Sequence, residues 1–495
     1  MANVAMWNAG DRPAVRINWD TFTAQGFDNS WRDAVTDALI NAYTRWMAAG
    51  VDCRPRFEGY TTRTQPDDGE ILVTSNERHF TSSRIASTFG SWRKASLVIH
   101  RRNGSDPTFP LWNFVPHNAV AGQIDLQGIF THELGHCFWL DDTGTDQTMN
   151  GGYEYHRQRL GPWPLDLDGV HGIYGGMNRN RLRAFGSTDG ITWTPRPSAL
   201  TSLGSSDART TSSPNVTSIG GTGRLLASWA IPNQIPTHIR TDVANVITPP
   251  WFFYGGERSL WGPTVADADD GTLLWAWAWG TDGRIRVARS TNEGSNWGFV
   301  GAPAGAATAS KVGLAATRVG NQKVWMLAWS HVDRAAQNDT GQLRVSISFD
   351  DGNSWTAPVN VGPSYRALNG VSLAASPSNQ FVLAFAWGNR SIVHRNLVRS
   401  LDLSVAGGAV SVGKAATHNG ASRIQPSVVF HPATNRFILA YREQNYLTSI
   451  RVTRRAWNNS SGWPAAVQIP VTSHTAPALA VDRARGQLTL WYAVD

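Results

Sequence analysis

Ser348-Phe349-Asp350-Asp351-Gly352-Asn353-Ser354-Trp355 decides how the larger part of this 495-residue chain is read. The pattern S-x-D-x-G-x-x-W makes a hairpin turn whose carboxylate accepts N–H groups of the turn while its tryptophan plugs the apolar layer beneath. Ser290 to Trp297 repeats it with Asn292 in place of the aspartate, and Ser187 to Trp193 repeats it one residue short. A second repeat runs alongside. Pro214-Asn215-Val216, Pro263-Thr264-Val265, Val312-Gly313-Leu314, Val371-Ser372-Leu373, Pro426-Ser427-Val428 and Pro477-Ala478-Leu479 each precede a turn and an apolar strand, ending near Trp229, Trp277, Trp329, Phe385, Tyr441 and Tyr492. Recurrence about every fifty residues means one supersecondary unit per copy.

The eight-residue stretch resembles the Asp-box of sialidase-like propellers. That resemblance turns the six copies into the six blades of an all-β propeller over residues 177–495. Arg181 to Trp193 looks like the outer hairpin of a blade, as do Arg284 to Trp297 and Leu343 to Trp355, but it precedes the first inner pair. The chain stops at Asp495 after an inner pair, so its two ends complete one blade, and closure removes sheet edges that would otherwise aggregate. A propeller permits many functions. Sialidases use an arginine cluster, an acid and a tyrosine activated by glutamate. From residue 177 onward the glutamates are Glu257, Glu293 and Glu443 alone. Glu293 sits inside an Asp-box turn, and neither Glu257 near Tyr254 nor Glu443 near Tyr446 lies in a recognised motif. Strand-end tryptophans such as Trp277 and Trp329 read as blade packing, and others on a face would stack on sugar.

The first third of the chain carries a different signal, Thr131-His132-Glu133-Leu134-Gly135-His136. On a helix, residues four apart share a face, so His132 and His136 can grip one metal with Glu133 beside it. Three protein ligands leave a fourth position for water, which becomes a nucleophile near neutral pH with Glu133 placed to take its proton. Downstream come Cys137-Phe138-Trp139-Leu140-Asp141-Asp142, then Thr148-Met149-Asn150-Gly151-Gly152, then Pro164 to Gly175.

These pieces, in this order, resemble the metzincins of matrixin type: H-E-x-x-H-x-x-G-x-x-H/D, a Met-turn and a closing helix. The resemblance implies a zinc metalloendopeptidase with His132, His136 and Asp142 as ligands, Glu133 as general base and Met149 packed under the metal. Asp141 and Glu154 are alternative third ligands. Trp139 stands where the family has glycine, so either it bears a left-handed backbone at a cost of about 1–2 kcal/mol or the turn takes another shape. Calcium is admitted by the family, although no D-x-D-x-D-G loop assigns it.

The expected fold class is therefore multidomain: an α+β metzincin-type catalytic domain over 1–176, followed by an all-β six-bladed propeller over 177–495. Alternating residues 14–19 read as a strand. Ser30 and Asp33 read as a capping box for a helix that places Val35, Leu39, Tyr43, Trp46 and Met47 on one face before Gly50 stops it. Cys53 to Tyr60, Glu70 to Thr74, Arg84 to Phe89 and Ala95 to His100 read as strands, the third being the sheet edge by family resemblance. His79, His100 and His117 lack ligand spacing.

Charge separates the two parts. Residues 1–176 hold 15 Lys+Arg against 20 Asp+Glu, net −5, and the remainder holds 29 against 17, net +12. A basic field favours acidic glycans, anionic surfaces or nucleic acid, but no nucleic-acid motif is present and only four of the 44 basic residues are lysine. No apolar run suits a membrane span, and Met1 to Trp7 lacks the apolar core of a signal peptide, whereas the resemblance implies an extracellular protein. Cys53 and Cys137 admit either one bridge or two buried thiols. The function expected is a zinc endopeptidase acting on protein or peptide, its propeller delivering it to an acidic glycan or glycoprotein. The alternative is a sialidase-type glycosidase, or a carbohydrate-binding or adhesion protein with a degenerate protease domain.

Overall fold

The inner strands of the second part are short and apolar because each is covered on both faces by its neighbours. The computed structural model describes residues 7–76, 86–100, 111–113, 123–143, 148–149, 162, 166, 181–195, 213–247 and 261–494, less short breaks within the first and the last two ranges. By its contacts the chain forms two compact units, the first built mainly from Met1–Met177 and the second from the remainder beginning at Asn178.

In the first unit, β1 (Ala14–Ile17), β2 (Arg56–Tyr60), β3 (Glu70–Asn76), β4 (Ala86–Ser91) and β5 (Lys94–His100) form one sheet in the order β2-β1-β3-β5-β4. All pairs are parallel except β4 with β5, and β4 is an edge. A short parallel pair joins β6 (Leu111–Asn113) to β7 (Gln123–Asp125). The helices are α1 (Trp19–Ala24), α2 (Arg32–Ala48) and α3 (Leu126–Cys137). Val35, Leu39 and Trp46 of α2 are fully buried, as the spacing predicts. The capping box does not form: a 3-10 turn over Asn29–Trp31 precedes α2, and Asp28 caps that turn by accepting the Ser30 N–H at 2.7 Å.

The second unit is a β-propeller of four-stranded sheets. Five four-stranded antiparallel sheets are continuous in sequence, with inner strands Asn215–Ile219, Thr264–Asp267, Gly313–Val319, Ala367–Ala375 and Ser427–His431. A further four-stranded sheet is composite: Ala478–Asp482 and Gln487–Val494 from the C-terminal end pair with Arg181–Ser187 and Thr194–Pro195, Val494 opposite Arg181 and Leu488 opposite Ser187. Strand Leu273–Ala278 is buried at every position, whereas the outer strand Val359–Asn360 is exposed. The Asp-box reading survives in detail. Asp350 Oδ1 accepts Ser348 Oγ–H at 2.8 Å and the Ser354 N–H at 2.9 Å, and Trp355 Nε1 donates to the carbonyls of Gly301 and Gly352. Asn292 and Asp189 accept the equivalent turn N–H groups of Asn296 and of Ile191 and Thr192.

The expected fold class needs correction. The described chain is nearly all β, about 12% helical, and no separate α+β metzincin domain stands out in it. The helices are few, the first unit is laid on a five-stranded sheet, and the closing helix expected over 164–175 lies outside the described residues apart from Asp166. The blade count likewise resolves into five continuous blades and one sheet assembled from both ends. Local motifs around a metal helix do not specify the layer architecture that carries them, which is why the family pattern misled at this level.

Candidate functional site

Helix α3 starts because Asp125 caps it, its Oδ2 accepting the Gly128 N–H at 2.6 Å. It is held against α2 by Trp46, whose Nε1 donates to the Thr131 carbonyl at 2.9 Å. Four-residue spacing then brings the rings of His132 and His136 edge to face, 4.8 Å between centroids. The helix ends in a Schellman turn: the Trp139 N–H bonds the His136 carbonyl and the Leu140 N–H bonds the Gly135 carbonyl, both at 3.0 Å. This motif needs a left-handed residue after the C-cap. Trp139 supplies it with φ 73°, so of the two outcomes the sequence left open the turn keeps its shape and the strain is borne.

The reversal returns the chain to the helix face. Asp142 Oδ1 lies 3.2 Å from His132 Nε2 and 3.4 Å from His136 Nε2. Burial opposes a charged ring at His136, but Asp142, Glu133 and the Leu140 carbonyl outweigh it and raise the pKa. Hydrogen bonds from the two imidazoles hold the Asp142 carboxyl well below the usual range. Each ring is oriented from behind: His132 Nδ1–H donates to the Thr148 carbonyl at 2.8 Å and His136 Nδ1–H to the Leu140 carbonyl at 2.7 Å. With Nδ1 committed as donor, a neutral ring presents the Nε2 lone pair to the carboxylate. Two lone pairs and an anion at this separation repel unless a proton or a cation lies between them, and backbone-anchored imidazole is the usual support of a metal ligand. His132, His136 and Asp142 each contribute one donor atom, all within 4.8 Å of one another. Two imidazole nitrogens and one carboxylate oxygen suit a zinc-class cation, so the donor set passes the chemical test.

Glu133 is 5% exposed and its Oε2 accepts the Thr88 Oγ1–H of β4 at 2.6 Å. Met149 is buried against Gly135, where an added Cβ would overlap its Sδ. The backbone N–H groups of Thr148 and Met149 donate to the buried Asp166 carboxylate at 3.0 and 3.2 Å. Asp141 is outside the three-residue cluster, and Glu154 lies outside the described residues. Cys53 and Cys137 are buried free thiols, and burial pushes the Cys137 pKa up. His100 is a buried core histidine near Ser87 Oγ at 3.0 Å, whereas His79 and His117 fall outside the described residues. Sequence reasoning missed Thr88, for which no local pattern exists, and Asp166, which stood inside the quoted stretch Pro164 to Gly175.

A second cluster lies on the propeller. In the blade whose inner strand is Ala367–Ala375, Arg399 stacks over Trp387 at 3.5 Å and stands 5.1 Å from the Tyr365 ring, and the two aromatic rings meet edge to face at 5.9 Å. Tyr365 precedes the inner strand and Trp387 ends the second strand, so the antiparallel order puts them at the opposite end of the blade from the turn joining its third and fourth strands, the turn that elsewhere carries the Asp-box. All three side chains are half-buried. Glu443 is occupied in a bidentate pair with Arg451 and accepts Ser449 Oγ–H at 2.8 Å, and Tyr254, Glu257 and Tyr446 lie outside the described residues.

No family model and no curated protein matches the chain. Similar solved structures include a Penicillium chrysogenum alpha-L-arabinanase complexed with arabinobiose, 14% identical over 64% of this chain and 98% of its own, TM-score 0.40. A Hadza microbial sialidase is 12% identical over 57% and 65%, TM-score 0.39. The BP39L lectin from Burkholderia pseudomallei is 14% identical over 56% and 76%, TM-score 0.41. The expected zinc metalloendopeptidase is corrected here: the three structures just named are two glycosidases and a lectin, and none of the three is a peptidase. The pattern around His132 is short enough to fit a metal site without fixing the reaction. Among the described residues no helix is long and apolar enough to cross a membrane.

Proposed function

We propose that this chain is a carbohydrate-binding protein that also carries a divalent-metal centre. The observation supporting the first half is the Tyr365, Trp387 and Arg399 cluster. Aromatic faces take the C–H side of a sugar ring, and a guanidinium beside them donates to hydroxyl or carboxylate oxygens. The net charge of +12 from residue 177 onward favours an acidic sugar. Titration of the full chain with sialyllactose and with lactose tests this. Binding of the sialylated sugar, lost in Trp387→Ala and weakened in Arg399→Met, is the expected result. Equal binding by both variants and the parent would overturn it. Turnover of a fluorogenic sialoside through Glu443 is not expected, because Glu443 is tied to Arg451 and Ser449.

The metal centre is supported by the convergence of His132, His136 and Asp142. A zinc-class cation held there by His132, His136 and Asp142 would supply Lewis acidity. Glu133, buried beside the set and held by Thr88, would be placed to accept a proton. Thr148 and Leu140 fix the two imidazoles through their carbonyls, and Asp166 holds the Thr148-Met149 backbone that one of them depends on. Among the described residues this is the cluster of three potential metal-ligating side chains that stands out.

A further inference from the structure

Trp139 combines a strained backbone with a half-exposed indole. Its φ of 73° is a conformation that glycine adopts freely and an L-residue adopts only under strain. Its indole is 47% exposed, and no aromatic or cationic partner is recorded for it among the described residues. A glycine would make the same Schellman turn without strain and without exposed apolar surface. Strain kept in place of a freely available alternative points to function rather than to folding.

The position says what kind of function. Trp139 lies three residues after His136 and three before Asp142, in the turn whose Leu140 carbonyl orients His136. The exposed carboxylates of Asp141 and Asp142 follow after Leu140, so within four residues the turn offers hydrogen-bond acceptors and an apolar plane. A ligand that matches both has donors along its edge and a flat C–H face. A pyranose ring has that chemistry: its hydroxyls donate to carboxylate oxygens while its C–H face lies on the indole.

We propose that Trp139 is a sugar-stacking platform in the turn that joins the metal-ligand helix to Asp142, a carbohydrate subsite on the first unit. The proposal rests on the reading of His132, His136 and Asp142 as a metal set and extends carbohydrate recognition to the first unit.

The test uses the full chain loaded with zinc and a panel of cello-, chito- and malto-hexaoses, measured by calorimetry in a Trp387→Ala background that silences the propeller site. At least one hexaose is expected to bind there and to bind at least ten-fold more weakly once Trp139→Gly is added. Trp139→Gly is also expected to retain zinc one-to-one and to unfold at a higher temperature than the parent. Trp139→Phe, which keeps a ring, should retain most of the binding. Hexaose binding indifferent to Trp139, binding to none of the panel, or binding only to an apolar peptide would each overturn the proposal, as would a lower unfolding temperature for Trp139→Gly, since the indole would then be packing within its own chain. Failure of the metal reading is seen separately, as a parent protein that takes up no zinc.

Discussion

Gly135→Ala tests whether the helix carrying the two histidines is seated on Met149. Alanine at a helix interior is favoured over glycine by about 1 kcal/mol, so an exposed site would gain stability. Here an added Cβ would overlap Met149 Sδ and lie 3.1 Å from Met149 Cε and 3.2 Å from Trp46 Cζ2. Met149 is 1% exposed and Trp46 0%, so neither has solvent to move into. Overpacking of this kind costs about 1–3 kcal/mol, and subtracting the propensity gain leaves a net loss of up to about 2 kcal/mol. Urea unfolding followed in the helical band of the circular dichroism reports it, since the described α-helices all lie in the first unit. Met149→Ala removes the obstructing atoms at a cost of its own, about 2–5 kcal/mol. In that background Gly135→Ala should change sign and stabilise by up to about 1 kcal/mol. A stabilising Gly135→Ala in the parent chain would refute the packing argument, because it would mean the Cβ finds open space.

Three further outcomes follow from the same geometry. His132→Ala, His136→Ala and Asp142→Ala should each lose stoichiometric zinc by equilibrium dialysis, whereas Glu133→Ala and Asp141→Ala keep it; zinc lost from Asp141→Ala and kept by Asp142→Ala would misplace the third ligand. Arg455, 1% exposed, pairs with Asp402 at 2.6 Å, so Arg455→Met leaves a carboxylate 17% exposed without its partner and should cost about 3–5 kcal/mol in chemical unfolding, most of it recovered by adding Asp402→Leu. Lys311 is buried with its ammonium on the Ser213 and Pro214 carbonyls, and burial lowers its pKa from 10.5 to about 7. Between those two values the unfolded chain binds the extra proton, so the Lys311 contribution makes stability rise with pH across that window, by at most about 1.4 kcal/mol per pH unit. Lys311→Met should flatten that slope, and an unchanged slope would show that the amine stays charged.

The sequence by itself determined the repeats and the turns. An Asp-box is local: serine, aspartate and glycine satisfy one another within eight residues, so Ser348 to Trp355 could be read without knowing what lies around it, and the pairing of both chain ends into one sheet followed from where the repeats start and stop. The spacing of His132 and His136 was equally local, since a helix alone puts them on one face. Asp142 needed more. It reaches the two imidazoles only because Trp139 accepts a left-handed backbone, and spacing does not reveal whether a tryptophan will pay that strain.

Tertiary structure alone decided the rest. Thr88 meets Glu133 across forty-five residues of sequence, Asp166 holds the backbone of Thr148 and Met149 from eighteen and seventeen residues away, and Arg399 finds Trp387 and Tyr365 only when antiparallel strands bring them to one end of a blade. Such contacts leave no periodicity, because side chains that meet through folding are under no constraint on spacing. The fold class was misjudged for a related reason. Motifs of a few residues set the geometry of a metal site, but whether a chain forms a separate α+β domain depends on how sheets and helices share one core, and that is set by packing between segments far apart in sequence.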